Sequence, residues 1–436
     1  MKYFRFFLIA APLFLLIPLS ARAQTRIKVS GVYAPQMKLA VASFEDRGTA
    51  ERGMSNGMTS LLQDDLLISG FFNPVTNRKF IADAEAVDRR TGKINLKEWT
   101  AIGAEVIVKG NYLFSGDDVT IECRAIRVSE GRHVYMKKYR DKKTRWRKII
   151  HTMADELLFA LTGEKGLART EIALTSTRNG KKKIYTMEAG GHNWRRINSG
   201  RGLALYPDWT PDGRGLLYTS YSYGLPWVFL DNLATGKRQV LSAQPGLNAF
   251  PAVSPDGRWV ALTLSKSGNN EIYKMRMDGT DLTRLTRTRT QVNDCSPTWS
   301  PDGRRIAFTS DRRGTPQIYV MDADGRNVRR ITVEGNYNTS PDWSPRGDLI
   351  AYASRIKGNF EISVINIRTG EVTRLTKNWV NDEDPSWAPD GRHLVYSSRQ
   401  GKRTNLFILD IVNPRPIQIT TGKDCFSPAW GPYSSR

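Results

Sequence analysis

From Thr170 to the end of the chain, hydrophobic positions fall in short runs, each closed by a cluster of Pro, Asp and Gly. In "SPTWSPDGRRIAFTS", from Ser296, one apolar segment ends at Trp299, Pro301 and Asp302 open a turn, Gly303 follows, and "RRIAFTS" resumes the run. Proline presets the turn dihedral and glycine accepts a positive φ that other residues resist, so the stretch reads as a hairpin between two short strands. "DRRGTPQ" then breaks the pattern, "IYVMD" resumes it, and "ADGRN" precedes a last strand, "VRRIT". An amphipathic helix needs apolar positions three and four apart over a dozen residues, and these runs are too short and too often broken.

The pattern recurs. "YPDWTPDGRGLLYTS", "FPAVSPDGRWVALTLS", "SPDWSPRGDLIAYAS" and "DPSWAPDGRHLVYSS" match it, and "SPAWGP" is a truncated copy at the carboxyl end. The anchors Trp209, Val253, Trp299, Trp343, Trp387 and Trp430 are spaced by 44, 46, 44, 44 and 43 residues. That period suits a four-stranded propeller blade with the anchor at the end of the inner strand. Residues 170–200 match the three outer strands of a unit and lack the inner one, which "SPAW" supplies. The expectation is an all-β six-bladed propeller over residues 170–436, with one blade stitched from both ends and the ring closed by the C-terminal strand. Two units depart from the pattern, with Val253 in place of Trp and Arg346 in place of Asp, and local repacking is expected there.

Upstream, the periodicity changes. "IKVSGV" and "KLAVASF" read as strands, "RGMSNGMTSLLQDDLLISG" as a helix, and "AEVIVKGNYLF", "DVTIECRAIRV" and "GRHVYMKKYR" as successive strands. A helix is expected from Thr144 to Leu161, with Trp146, Ile149, Ile150, Met153, Leu157 and Leu158 at helical spacing. This gives an α/β N-terminal domain over residues 24–162 and a linker at 163–169. Residues 1–23 place Lys2 and Arg5 before a short apolar run and the small-residue pattern Ala21-Arg22-Ala23, the order of a secretory signal peptide cleaved after Ala23. The run is too short, and too interrupted by Pro12 and Pro18, to span a bilayer.

Export changes how charge is read. The net charge of +22 falls to +19 once Lys2, Arg5 and Arg22 are removed, and outside the cytoplasm it points to an acidic protein or an anionic envelope surface instead of nucleic acid. Three widely spaced cysteines form no disulfide framework. Gly53 to Gly57 fit G-x-S-x-G around Ser55, but polar residues stand where that motif needs a strand, so Ser55 reads as a residue early in a helix. Four scattered histidines offer no zinc site, and no catalytic residue or cofactor is expected. The densest cationic run, "MKKYRDKKTRWRK" from Met136, reads as a solvated face, with anionic lipid contact as the lesser reading.

The leader, the α/β domain with "DDLLISGFFNPV" from Asp64, the "LTGEKG" junction from Leu161 and the "SPDGR" propeller units together resemble the TolB family of the Tol-Pal envelope system. The resemblance implies a monomeric, non-enzymatic periplasmic adaptor. It would bind the peptidoglycan-associated lipoprotein Pal through a propeller face and a TolA-like inner-membrane protein through its amino-terminal segment. It would thereby associate with the outer membrane and support envelope integrity and constriction during division. The segment in question is Gln24, Thr25, Arg26 and Ile27, which could pair its backbone with a partner strand. Because inner strands start at one propeller face, the docking candidates around the channel mouth are Asn248 and Phe250, Asn293 and Asp294, Tyr337 and Asn338, Asp382 and Glu383, and Asp424. Basic loops at Thr177, Asp311, Arg355 and Arg399 would form a cationic rim, with Arg312, Arg313 and Lys357 steering an anionic partner. The alternative is a calcium-dependent lactonase or sugar-binding propeller with its site at the same mouth.

Overall fold

The computed structural model describes residues 36–48, 53–198, 200–289 and 291–433. The leader and its cleavage site, the strand expected at "IKVSGV" and the arm Gln24, Thr25, Arg26 and Ile27 lie outside the described residues.

The first unit is a mixed sheet flanked by helices. Its strands are β1 (Met37–Val41), β2 (Glu45–Asp46), β3 (Phe72–Pro74), β4 (Val106–Ser115), β5 (Asp118–Arg127) and β6 (Arg132–Lys142). They lie in the order β3-β1-β4-β5-β6, with β2 beside β4; β1 runs parallel to β3 and β4, while β4, β5 and β6 form an antiparallel meander. Helices α1 (Met54–Ile68), α2 (Arg78–Thr91), α3 (Leu96–Ala101) and α4 (Trp146–Thr162) complete it. One sheet face, carrying Val106, Val108, Val119, Ile121 and Cys123, packs on the apolar stripes of α1 and α4. Of the expected stripe of α4, Ile149, Ile150, Met153, Leu157 and Leu158 are buried and Trp146 is partly buried; the helix begins two residues later than expected because Lys143–Arg145 forms a 3-10 turn.

Helices α2 and α3 were not foreseen: their apolar residues are mostly small and are interleaved with charged ones. They are held by local chemistry: Asn77 caps α2 by accepting from the Lys79 and Phe80 amides, and Gly92 ends it at φ 67°. Ile81, Ala84 and Trp99 cover Ala40 and Ile107 on the second sheet face. Asp88, buried there, accepts from the Trp99 indole at 3.0 Å and pairs with Lys109 at 2.7 Å, so its charge is compensated.

The remaining strands form six four-stranded antiparallel sheets arranged as a propeller. The first blade is Ala204–Trp209, Gly215–Ser220, Trp227–Asn232 and Arg238–Ser242; four more occupy residues 248–284, 294–330, 338–374 and 381–418. The sixth joins the chain's two ends, as Cys425–Trp430 pairs antiparallel with Glu171–Ser176, which leads to Lys183–Glu188 and Arg195–Arg196. Blades are bolted together at their anchors. The Trp387 amide donates to the Asp342 carboxylate of the preceding blade at 2.7 Å and its indole to the Asp342 carbonyl at 3.1 Å. The Val253, Trp343 and Trp430 amides likewise donate to Asp208, Thr298 and Ser386. Val253 keeps this bond in place of tryptophan and packs beside the buried Val260, and Arg346 donates to the Asp390 carbonyl of the next blade.

The first unit rests on the propeller end that carries the "SPDGR" turns. Ile68 and Leu167 enter the core of the stitched blade, and Arg392, paired with Asp410, stacks over Phe71 at 3.9 Å. Gly70, at φ +73°, comes so close that a Cβ would lie 2.5 Å from an Asp410 carboxylate oxygen. Buried His151 of α4 sits between Asp65 of α1, at 2.8 Å, and Glu188 of the stitched blade, at 3.2 Å. Arg147 also holds Glu188.

Candidate partner-docking site

Each inner strand carries the same distortion. The residue before its proline has a positive φ: 54° at Tyr206, 51° at Phe250, 54° at Ser296, 52° at Ser340, 51° at Asp384 and 42° at Ser427. At each of these the strand register shifts. A non-glycine residue in this region costs about 1–3 kcal/mol, and a bulge re-aims side chains. The consequence is a ring of these six residues lining the central channel, with Asp208 and Asp342 deeper in the same cavity. Two of the six are aromatic, Tyr206 and Phe250, which lie 4.1 Å apart between centroids. The other four are polar, with Asp384 accepting from Ser340 at 3.0 Å and from Ser427 at 2.9 Å. Burial lifts the carboxyl of Asp208 to about 7, opposed by the Val253 amide and helped by the Asp342 charge. Burial similarly lifts Asp342 to about 6.

Strand alternation divides the nine mouth candidates. Asn248, Asp294, Asn338 and Asp382 are buried inside their blades, and this corrects the expectation that they face a partner. Asn248 accepts from Ser242 at 2.6 Å and donates to the Gln244 carbonyl, and Asn338 donates to Gln317 at 2.8 Å. Asp294 holds Arg312 at 2.8 Å, and Asp382 accepts from Asn378 at 2.9 Å. They stand at the start of the inner strand and fasten it, Asn248 and Asn338 to strands of the preceding blade and Asp294 and Asp382 to adjacent loops, a polar task that looks like surface chemistry in sequence. Arg312 moves with Asp294: it stacks over Tyr319 at 4.8 Å and is no free steering charge. Phe250 is in the channel ring. Asn293 is exposed and bonded to Asp311, Tyr337 lies edge-on to Phe360, Glu383 is half-buried, and Asp424 accepts from the Thr404 amide. Arg313, Lys357 and Lys402 stand exposed on the rim. Ser55 donates to the Phe44 carbonyl at 2.6 Å, a structural role.

The composition of this architecture has counterparts. A model of the TolB amino-terminal domain matches residues 25–134, and one of the TolB beta propeller domain matches residues 159–434. The chain belongs to the TolB family. A Tol-Pal system protein TolB from Desulfosudis oleivorans is 34% identical over 284 residues, covering 64% of this chain and 65% of that protein. Another, from Anaeromyxobacter dehalogenans, is 36% identical over 264 residues, covering 60% of this chain and 59% of that protein. Both alignments span less than two thirds of the relatives' length. The crystal structure of TolB from Acinetobacter baumannii superposes with a TM-score of 0.77 at 27% identity, covering 92% of this chain and 98% of that one.

On this TolB propeller the sequence reading missed the apolar part of the mouth face. Val333 and Trp379, 77% and 78% exposed, sit in loops that lead into inner strands, and Tyr223 and Leu225 sit in a loop between second and third strands. All four are on the face where inner strands begin. The available signal was an aromatic or aliphatic residue inside otherwise polar loops, "VEGNYN" and "KNWVND". Exposed aromatics in a polar frame are the usual anchors of protein interfaces.

Proposed function

We propose that this protein is a periplasmic, non-enzymatic adaptor of the Tol-Pal system. It docks the peptidoglycan-associated lipoprotein Pal on the mouth face of its propeller and presents residues 24–27 to a TolA-like inner-membrane protein, in support of outer-membrane integrity and division. The observation that carries the docking half is the mouth face itself: exposed Trp379 and Val333, an aromatic and acidic channel ring, and a cationic rim. Apolar anchors supply affinity, and the rim accelerates encounter with an anionic partner. Membership of the TolB family supports the partners named. The alternative channel-ligand reading gains nothing from the cavity, whose volume of about 150 Å³ is below the several hundred typical of ligand pockets. Among the described residues, no group of three or more His, Cys, Asp or Glu is placed to hold a metal.

The test is capture of Pal by the protein lacking its leader, beside Trp379→Ala with Val333→Ser, both leaving the blade interiors intact. Loss of capture by the variant, by about tenfold or more, is expected for an anchor pair. Equal capture by both would remove the mouth face as the site, and no capture by either would remove the adaptor reading.

A further inference from the structure

The cationic run from Met136 belongs to a surface that the docking reading does not use. Along β4, β5 and β6, alternate residues face away from α1 and α4; the registers Lys109-Arg124-Met136, Asn111-Glu122-Lys138 and Leu113-Thr120-Arg140 place them in rows on one side. Helices α2 and α3 cover only the β1 side of this face, ending near Ile126. The rest is open to solvent.

Its charges do not balance. Asp118 serves both Arg140, at 3.0 Å, and Lys142, at 2.8 Å. Glu122 serves Lys138 at 3.0 Å, with Arg47 at 3.9 Å. Arg124 is exposed and makes no ion pair among the described residues. Glu45, exposed and in register beside Asn111, is a third carboxylate on this face, so five cations face three carboxylates. The basic side chains are 60–72% exposed where they pair, and so reach well out from the strands. Met136, 68% exposed, and Leu113, 40% exposed, stand among them. The open face of an antiparallel sheet is ordinarily polar throughout, so two large apolar side chains inside a cationic field call for an occupant that is both anionic and apolar.

We propose that this face, centred on Arg124, Met136, Lys138 and Arg140, binds the anionic headgroup surface of a lipid leaflet. Phosphate groups meet the cations, and Met136 and Leu113 enter the boundary between headgroups and acyl chains. An added protein strand is the less suitable occupant. β6 is the last strand of the sheet, and lysines and arginines on an edge strand are a standard obstacle to strand pairing. The contact is weak and reversible, as suits a small net charge with shallow apolar insertion. It does not depend on Pal docking, since it uses the other unit of the chain.

The test is co-sedimentation of the protein lacking its leader with phosphatidylcholine vesicles, with and without about 30 mol% phosphatidylglycerol, at low salt and at about 0.5 M salt. The expected result is binding only to the anionic vesicles at low salt. Because the whole chain is basic, two variants of equal charge change are compared: Arg124→Glu/Lys138→Glu/Arg140→Glu on the sheet, and Arg313→Glu/Lys357→Glu/Lys402→Glu on the propeller rim. The sheet variant should lose about tenfold or more in vesicle affinity and the rim variant much less. Met136→Ser should weaken binding without changing its salt dependence. Equal losses in the two triple variants would reduce the effect to bulk charge and overturn the proposal, as would absence of binding by the unaltered protein. A poly-glutamate peptide is the final arm: if it binds the sheet face while vesicles do not, an acidic protein is the occupant and the lipid proposal falls. Arg124→Gln/Lys138→Gln/Arg140→Gln, with unchanged circular dichroism, guards against misfolding. Pal capture by the sheet variant, measured in parallel, separates failure here from failure of the docking reading.

Discussion

His151 is 5% exposed and meets a carboxylate on each side, Asp65 from its own unit and Glu188 from the propeller. Burial pulls its pKa down, but hydrogen bonds to the two carboxylates outweigh that and hold it at about 9. Glu188, despite burial, is drawn to about 2 by His151 and Arg147, while burial wins at Asp65 and raises it to about 6. Asp155 adds repulsion at Asp65. A group whose pKa rises on folding holds more protons in the folded state. The His151 contribution is therefore complete below its unfolded value of 6.5 and disappears as pH climbs through about 9. Thermal melts should fall between pH 7 and 9 in the native protein, by an amount on the order of 3 kcal/mol, and stay nearly flat in His151→Gln. Parallel slopes in both would show that His151 does not couple the units. Gly70→Ala tests the same seam from the backbone. Positive φ and the Asp410 oxygen should together cost about 1–3 kcal/mol, read as a lower denaturation midpoint.

At the level of elements, the repeat unit and its two departures, Val253 and Arg346, were legible, and the distortion of its inner strand was not. Pro, Asp, Gly and the anchor tryptophans act through local turn geometry and sit at a fixed period, so blade count and strand order could be read directly. The bulge before each proline could not, because it is a register shift between two strands. Nor could α2, whose stability lies in the Asn77 cap, the Gly92 stop and a few small contacts. The inter-blade bond from the Trp387 amide to Asp342 leads to a sharp expectation. Asp342→Ala should leave a buried donor unpaired and cost about 1–3 kcal/mol, whereas Asp342→Asn, which retains an acceptor, should cost less. Chemical denaturation of the two variants checks the order, and equal midpoints would refute the role of the side chain.

Across the whole molecule, ring closure joins residues 172 and 430, the latter's indole donating to Thr170 at 2.9 Å. Truncation before Ser427 removes most of the closing inner strand, Cys425–Trp430, and exposes the core of the stitched blade. The melting temperature should drop by about 10 °C or more, and an unchanged melt would show that the ring does not need its closing strand.

The sequence by itself determined the period, the six inner strands, the stitched blade and the α/β character of the first unit, because hydrophobic spacing and turn chemistry are local. It also supplied the family resemblance that the matched domains bear out. Only the tertiary structure decided which polar residues at the start of each inner strand are fasteners and which meet solvent. Asn293 and Asp294 are neighbours of similar polarity, yet one is exposed and the other is at 0% exposure, because the pleat turns them to opposite sides and Arg312 closes over the second. Tertiary structure likewise aimed six pre-proline residues into one channel and left part of one sheet face uncovered. Burial and facing depend on what a distant part of the chain brings alongside, and no local pattern carries that information.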